Sequence, residues 1–331
     1  RSVRPFLTQE EYAKSESVVK DFGAPGGEGD KLQKLLYERA EREQNWLEAW
    51  WLQTAYLGYR SPVVVWSSPG EIFPWMKFSS ENDVLKCATN VVWAALQFKL
   101  QVDRGEIAQE WFGRNPLDMN QYRMVFGTCR IPDIPLDALR FHPKSGHIVV
   151  AHKNHFYRVQ VMDDGGVPLP KEVIYTRLDD CVKASDGLAP PVGVLTTDSR
   201  DNWAAAYKEL SKDDWNMKSL KVLEECLFMV CLDSVAPVAG PNRMTESARL
   251  LIHGGGPDAN SANRWFDKTI QFVIGKEGHV GMTYEHSPAE GQPIAVLTDH
   301  VVKHMYVFTD HVIFFLLWKR LVGIYSLDIT I

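Results

Sequence analysis

Between Cys226 and His286 the chain passes through three short apolar segments, CLFMVCLD, TIQFVIG and VGMTYEH, with TESARLLIHGGG between the first two and the turn KEGH between the last two. The apolar segments have strand length and β-branched character, while TESARLLIH has helical spacing. A chain that interleaves strands and helices in this way folds as α/β, with a mixed sheet and flanking helices. Upstream segments agree. HIVVAHKNHFYRVQVM alternates like a strand pair closed by DDGGVPL, and DVLKCATNVVWAALQFKL carries Val84, Cys87, Val91 and Ala95 at the spacing of an amphipathic helix. PPVGVLTTDSRDNWAAAYKEL reads as a strand ending near Thr196 that crosses into a helix capped by Asp198 or Ser199. RSPVVVWSSPG reads as a short buried strand.

The first forty-odd residues are charged and helical in pattern, broken by FGAPGGEGD, whose glycines and proline force a turn. NWLEAWWLQTAYL follows, with Trp46, Trp50 and Leu57 on one helical face and Trp51 beside them. Rings of that size read first as core. At 331 residues the chain exceeds the roughly 250–300 at which one core stops growing, so two domains or one large α/β unit are expected.

Charge and cysteine content remove several functions. The formal charge is −6 and no basic run is longer than Lys319-Arg320, which leaves nucleic acid without a binding stripe. Five cysteines without CxxC spacing suggest neither a disulfide framework nor a zinc site, and fit a reducing intracellular compartment. RSVRPFLTQEEY has no apolar signal core; the amino end is expected to be incomplete or processed, leaving targeting signals invisible. Near the other end, VIFFLLW is far shorter than the ~20 apolar residues of a membrane span.

Three constellations could carry chemistry. His152/His155 and His300/His304 have no second group of ligands nearby in sequence, so no metal is expected. HGGG at 253–256 has the form of an esterase oxyanion loop, but the chain lacks a GxSxG elbow; a tight turn before NRWFDK is the better reading. In GMTYEHSPAEG, His286 stands at the end of a strand, where its ring can project from a sheet edge into a cleft, and Glu290 follows four residues later. Imidazole accepts protons near neutral pH, and a carboxylate at that spacing can orient it.

The blocks WLEAWWLQTAYLGYRSPVV, PLDMNQYRMVFGTCRIP, LTTDSRDNWAAAY, HGGGPDANSANRWFDKTIQF and GMTYEHSPAEG, in this order, resemble the amino-terminal half of the choline/carnitine acyltransferase family. AYLGYRSPVV and YEHSPAEG are closest to its carnitine branch, and FGAPGGEGDKLQKLL and EHSP also resemble its choline branch. The resemblance implies one domain of a two-domain fold of chloramphenicol-acetyltransferase type. Residues 1–43 would be a leading helical segment that packs on the carboxy-terminal domain, 44–305 the amino-terminal acyltransferase domain, and 306–331 a tail outside the resemblance. It also implies transfer of a short acyl group between coenzyme A and carnitine, with His286 as general base and Glu290 as supporting acid. Trp51 and Tyr56 would border the acceptor cleft. Coenzyme A enters as a substrate, no cofactor is bound tightly, and a monomer in the mitochondrial matrix or peroxisome is expected. Oxyanion donors and the coenzyme A loop lie in the family's other half, which implies a truncated chain in which His286 is unusually exposed. Two other readings follow: a catalytically inactive fragment or interaction module, and choline as the acceptor.

Overall fold

The computed structural model describes residues 1–236 and 241–306, apart from the side chain of Tyr306; the VIFFLLW block and most of the expected tail lie outside these residues. The chain divides into two compact units, Arg1–Ala55 and the remainder from Tyr56.

In the first unit α1 (Gln9–Gly23) and α2 (Glu28–Arg42) are separated by the glycine-rich turn. Thr8 opens α1 with a capping box: its hydroxyl accepts from the Glu11 amide and the Glu11 carboxylate accepts from the Thr8 amide. A short α3 (Glu48–Trp51) runs on into a wider helical turn of π type, Leu52–Leu57. The tryptophans expected in a core are exposed instead: Trp46 at 39%, Trp50 at 45% and Trp51 at 54%, while Leu57 is buried. Trp46 and Trp50 pack edge to face, and the Arg39 guanidinium lies 4.3 Å above the Trp50 ring. That cation–π contact leaves the apolar faces half in water.

The second unit is built on a six-stranded mixed sheet in the order β1 (Gly70–Ile72), β10 (Val280–Tyr284), β9 (Ile270–Gly275), β8 (Met229–Asp233), β6 (His147–His152), β7 (His155–Gln160). The central pairs β9/β8 and β8/β6 are parallel and the outer pairs antiparallel. Hairpin β6–β7 turns on Lys153 and Asn154, both at positive φ, as a two-residue connection requires. Two small ribbons complete the strands: β2 (Trp111–Phe112) with β3 (Asn115–Pro116), and β4 (Thr128–Ile131) with β5 (Ala138–Phe141).

Alternate residues of the central strands feed two cores. Ile148, Val150, Val230, Phe272 and Met282 face one layer, which includes α4 (Glu81–Asp103), α6 (Lys171–Ala184) and α10 (Gly291–Tyr306), with α5 (Asn120–Met124) at its side. Val149, Ala151, Cys231 and Val273 face α7 (Arg200–Leu210), α8 (Asp214–Glu225) and α9 (Arg243–His253). A sheet covered on both faces explains why its strands read as continuous apolar runs. α4 follows the same logic: Val84 through Lys99 are buried at most positions, so it is a central helix rather than one with a solvent face.

Two expected strands are absent. In RSPVVVW only Val63 is well buried; Val64 makes a single bridge to Ser68, and Val65, at φ 69°, turns the chain so that Val65 and Trp66 face solvent. Residues 192–197 form a 3-10 helix, opened by a bond from the Val194 amide to Pro191 and closed by one from the Asp198 amide to Leu195. Gly193 presses against the carbonyls of Ala262 and Arg264, where a Cβ would lie 2.3 Å from each. The following helix begins as expected: the Ser199 hydroxyl caps α7 by accepting from the Asn202 amide. Among the described residues no helix is long and apolar enough to cross a membrane.

Candidate active site

β10 ends at Tyr284, and the chain stays pinned for two more residues, with the Glu285 amide donating to Thr269 and the His286 amide to Ser67. β10 is flanked by β1 and β9, so His286 leaves the end of an interior strand rather than a sheet edge. Its side chain retains 21% exposure. The ring stacks with Tyr56, with centroids 5.4 Å apart, and with Tyr284, at 5.5 Å. Burial, with Glu71 and Glu290 adding to it, raises the Tyr284 pKa, so that hydroxyl stays neutral beside the imidazole.

The polar contacts define how this imidazole can act. The Tyr56 hydroxyl is 2.8 Å from His286 Nδ1 and donates to Glu290 Oε1 at 3.2 Å. A hydroxyl has one hydrogen. With that hydrogen on Glu290, the tyrosine oxygen accepts from Nδ1–H, and the ring holds its lone pair at Nε2, 3.7 Å from Glu290 Oε2. A neutral imidazole in this tautomer accepts a proton at Nε2, and the adjacent carboxylate stabilises the cation that results. Glu290 is 47% exposed, so screening weakens that stabilisation. Its main chain is fixed from α5, where Gln121 Oε1 accepts from the Glu290 amide at 2.9 Å.

Tyr56, His286 and Glu290 are therefore brought together, from positions 230 and 234 residues apart for the two contacts of the tyrosine. Trp51 belongs to the Arg1–Ala55 unit. The π-type turn that carries Tyr56 is an uncommon local geometry that recurs at functional sites.

Beneath the three residues lies a buried ionic network that sequence patterns did not bring out. Glu285 Oε1 accepts from Arg130 Nη1 at 3.0 Å and from the Ser287 hydroxyl at 2.7 Å. Arg130 Nε donates to Asp137 at 2.6 Å, and Asp137 also accepts from Arg200 and Arg60. Arg200 continues to Asp267, whose other oxygen accepts from the Trp203 indole at 2.6 Å. The available signal was the acid immediately before His286.

HGGG takes no part in this arrangement. Gly254 ends α9 at φ 73°, Gly255 and Gly256 follow at 90° and 113°, and the Asn260 amide closes the loop on Gly254. His152 and His155 face each other across the β6–β7 hairpin, and the rings of His300 and His304 stack at 4.1 Å on α10. Among the described residues no group of three or more His, Cys, Asp and Glu is gathered as a metal ion needs.

Comparison with known proteins places this geometry. A carnitine O-acetyltransferase of Columba livia is 40% identical over 309 residues, 92% of this chain and 49% of that protein. The carnitine O-acetyltransferase of Homo sapiens is 38% identical over 310 residues, 92% of this chain and 50% of its own length. A choline O-acetyltransferase of Mus musculus is 38% identical over 311 residues, 90% and 48% of the two chains. The chain thus spans about half the length of the curated relatives it matches. A solved chloramphenicol acetyltransferase is matched at 11% identity and TM-score 0.32, covering 79% of this chain and 96% of that one, too distant to support an assignment. The profile described as Choline/Carnitine o-acyltransferase matches residues 1–311, most of the chain and all of the site just described, and the chain belongs to that family.

Proposed function

We propose that this chain supplies the basic half of an acyltransferase that moves a short acyl group, acetyl first among them, between the thiol of coenzyme A and the hydroxyl of carnitine. The observation that supports this most directly is the contact of Tyr56 with both His286 Nδ1 and Glu290; with the hydroxyl hydrogen on Glu290, Nε2 is the proton acceptor. In the direction of acylcarnitine formation, the acceptor oxygen attacks the thioester carbonyl and its proton passes to Nε2. Collapse of the tetrahedral intermediate breaks the carbon–sulfur bond, and the thiolate takes the proton back. No covalent enzyme intermediate forms, and coenzyme A is a substrate rather than a resident group. A base placed in this way contributes about 10²–10⁴ in rate.

Tyr56, and Trp51 with it, is proposed to border the acceptor, since an aromatic face attracts a trimethylammonium. Choline is the second acceptor to test, because a choline O-acetyltransferase matches at 38% identity against 40% for a carnitine O-acetyltransferase. The compartment that goes with the reading is the mitochondrial matrix or the peroxisome.

The deciding experiment measures acetyl transfer from acetyl-coenzyme A to carnitine and to choline, in this chain and in a longer protein that carries it joined to a carboxy-terminal acyltransferase half. Transfer to carnitine by the longer protein, lost in His286→Ala with the fold intact, is the expected result. Activity that survives His286→Ala sinks the assignment of the base, and efficient transfer by the 331-residue chain alone removes the need for a second half.

A further inference from the structure

We propose that Arg130 is a positioning residue that holds Tyr56 and His286 in register. The proposal rests on the reading of His286 as the base and adds to it what fixes the ring.

Arg130 lies on β4, and its side chain is 2% exposed. One edge of its guanidinium serves the segment that carries Tyr56: Nη2 donates to the Tyr56 carbonyl at 2.9 Å and to the Tyr59 carbonyl at 3.5 Å. Nη1 serves the segment that carries His286, donating to Glu285 at 3.0 Å and to the Ser287 hydroxyl at 3.2 Å. These are the residues on either side of the histidine. Glu285 then closes the turn on itself, its second oxygen accepting from the Ser287 amide at 3.1 Å. A single rigid plane therefore grips the backbone of the tyrosine and both neighbours of the imidazole.

That plane is itself held. Nε donates to Asp137, which also accepts from Arg60 and Arg200. Three guanidinium groups (Arg60, Arg130, Arg200) face three buried carboxylates (Asp137, Asp267, Glu285), and Arg60 also pairs with the exposed Asp201. Removing such charges from water costs about as much as their attraction returns, and apolar residues of equal volume hold a fold at least as well. What apolar residues cannot do is fix two chain segments in one plane with directional bonds. A lysine cannot do it either, because its three donors radiate from one point.

The test uses the longer protein and the variants Arg130→Lys and Ser287→Ala, the second removing one acceptor of Arg130 and one donor to Glu285. Two quantities are read: kcat and KM for both substrates, and the 15N resonances of the His286 imidazole, which report its tautomer without turnover. Arg130→Lys is expected to lower kcat by about tenfold or more while both KM values stay within about twofold, and to reduce the Nδ1–H tautomer. Unchanged His286 resonances together with kcat within about twofold of wild type overturn the proposal, since a loss confined to stability moves neither. If Arg130→Lys does not fold, Ser287→Ala decides by the same two readouts, with a smaller shift in the same direction. His286→Ala is assayed in parallel. Its inactivity beside a normal Arg130→Lys rejects the positioning role alone, and its activity rejects the base while the resonances still report on Arg130.

Discussion

The hydroxyl of Tyr56 lies 2.8 Å from Nδ1 of His286, across 230 residues of chain. It also reaches Glu290, so the tyrosine, and not the acid four residues along, is what holds the inner nitrogen of the ring. Glu290 faces the other nitrogen at 3.7 Å, beyond hydrogen-bond distance.

Tyr56→Phe isolates this contact, because the ring that stacks on the imidazole is retained and only the hydroxyl is lost. In the longer protein kcat/KM for acetyl transfer is expected to fall by about tenfold, equivalent to about 1.4 kcal/mol, the scale of one hydrogen bond. Thermal unfolding measured alongside should be almost unchanged. Kinetics within error of wild type would remove the tyrosine from the tautomer argument.

Trp203 tests the far end of the ionic network. It is buried, and its indole donates to Asp267, which in turn holds Arg200. Trp203→Phe leaves that carboxylate oxygen without its indole donor and should destabilise the fold by about 1–3 kcal/mol in urea unfolding. A change near zero would mean that water or a shifted side chain replaces the indole at no cost.

Gly254 tests the loop whose sequence has the look of an oxyanion loop. Its φ of 73° is left-handed, and a Cβ there would lie 2.6 Å from the main chain of Asn260 and Ser261. Gly254→Ala should cost about 1–3 kcal/mol in stability, measured by denaturant midpoint, as a strained backbone position does. Loss of activity at wild-type stability would point to the chemical role that the loop's geometry denies it.

These contacts also mark where the sequence was readable. β8, β9, β10 and α9 were legible because their apolar periods are local, and the His286–Glu290 spacing could be read off one turn of chain. RSPVVVW misled because three valines carry strand propensity, whereas Val65 at positive φ and its exposure are set by the tertiary path. The tryptophans at 46, 50 and 51 misled in the same way, large rings suggesting a core that the unit does not form around them. The part played by Arg130, within the block PLDMNQYRMVFGTCRIP, was not legible, because a guanidinium that joins Tyr56 to Glu285 spans 74 residues one way and 155 the other. A pattern read along the chain does not register partners so distant.

Two histidines outside the site make stability depend on pH. Burial, with repulsion from Lys153 and Lys276, lowers the His152 pKa to about 4, and burial, with His304 stacked beside it, lowers that of His300 to about 4. In the unfolded chain both sit near 6.5. Between these values the unfolded state binds more protons than the folded one, so stability rises with pH across the window and is lost as pH falls from about 6.5 towards about 4. Urea unfolding at several pH values should trace that loss. His152→Gln and His300→Gln should each flatten it, because a glutamine cannot gain the proton that the unfolded chain takes up. A stability flat across the window, or a slope that neither variant changes, would show that both imidazoles accept protons in the folded state as readily as in the unfolded one.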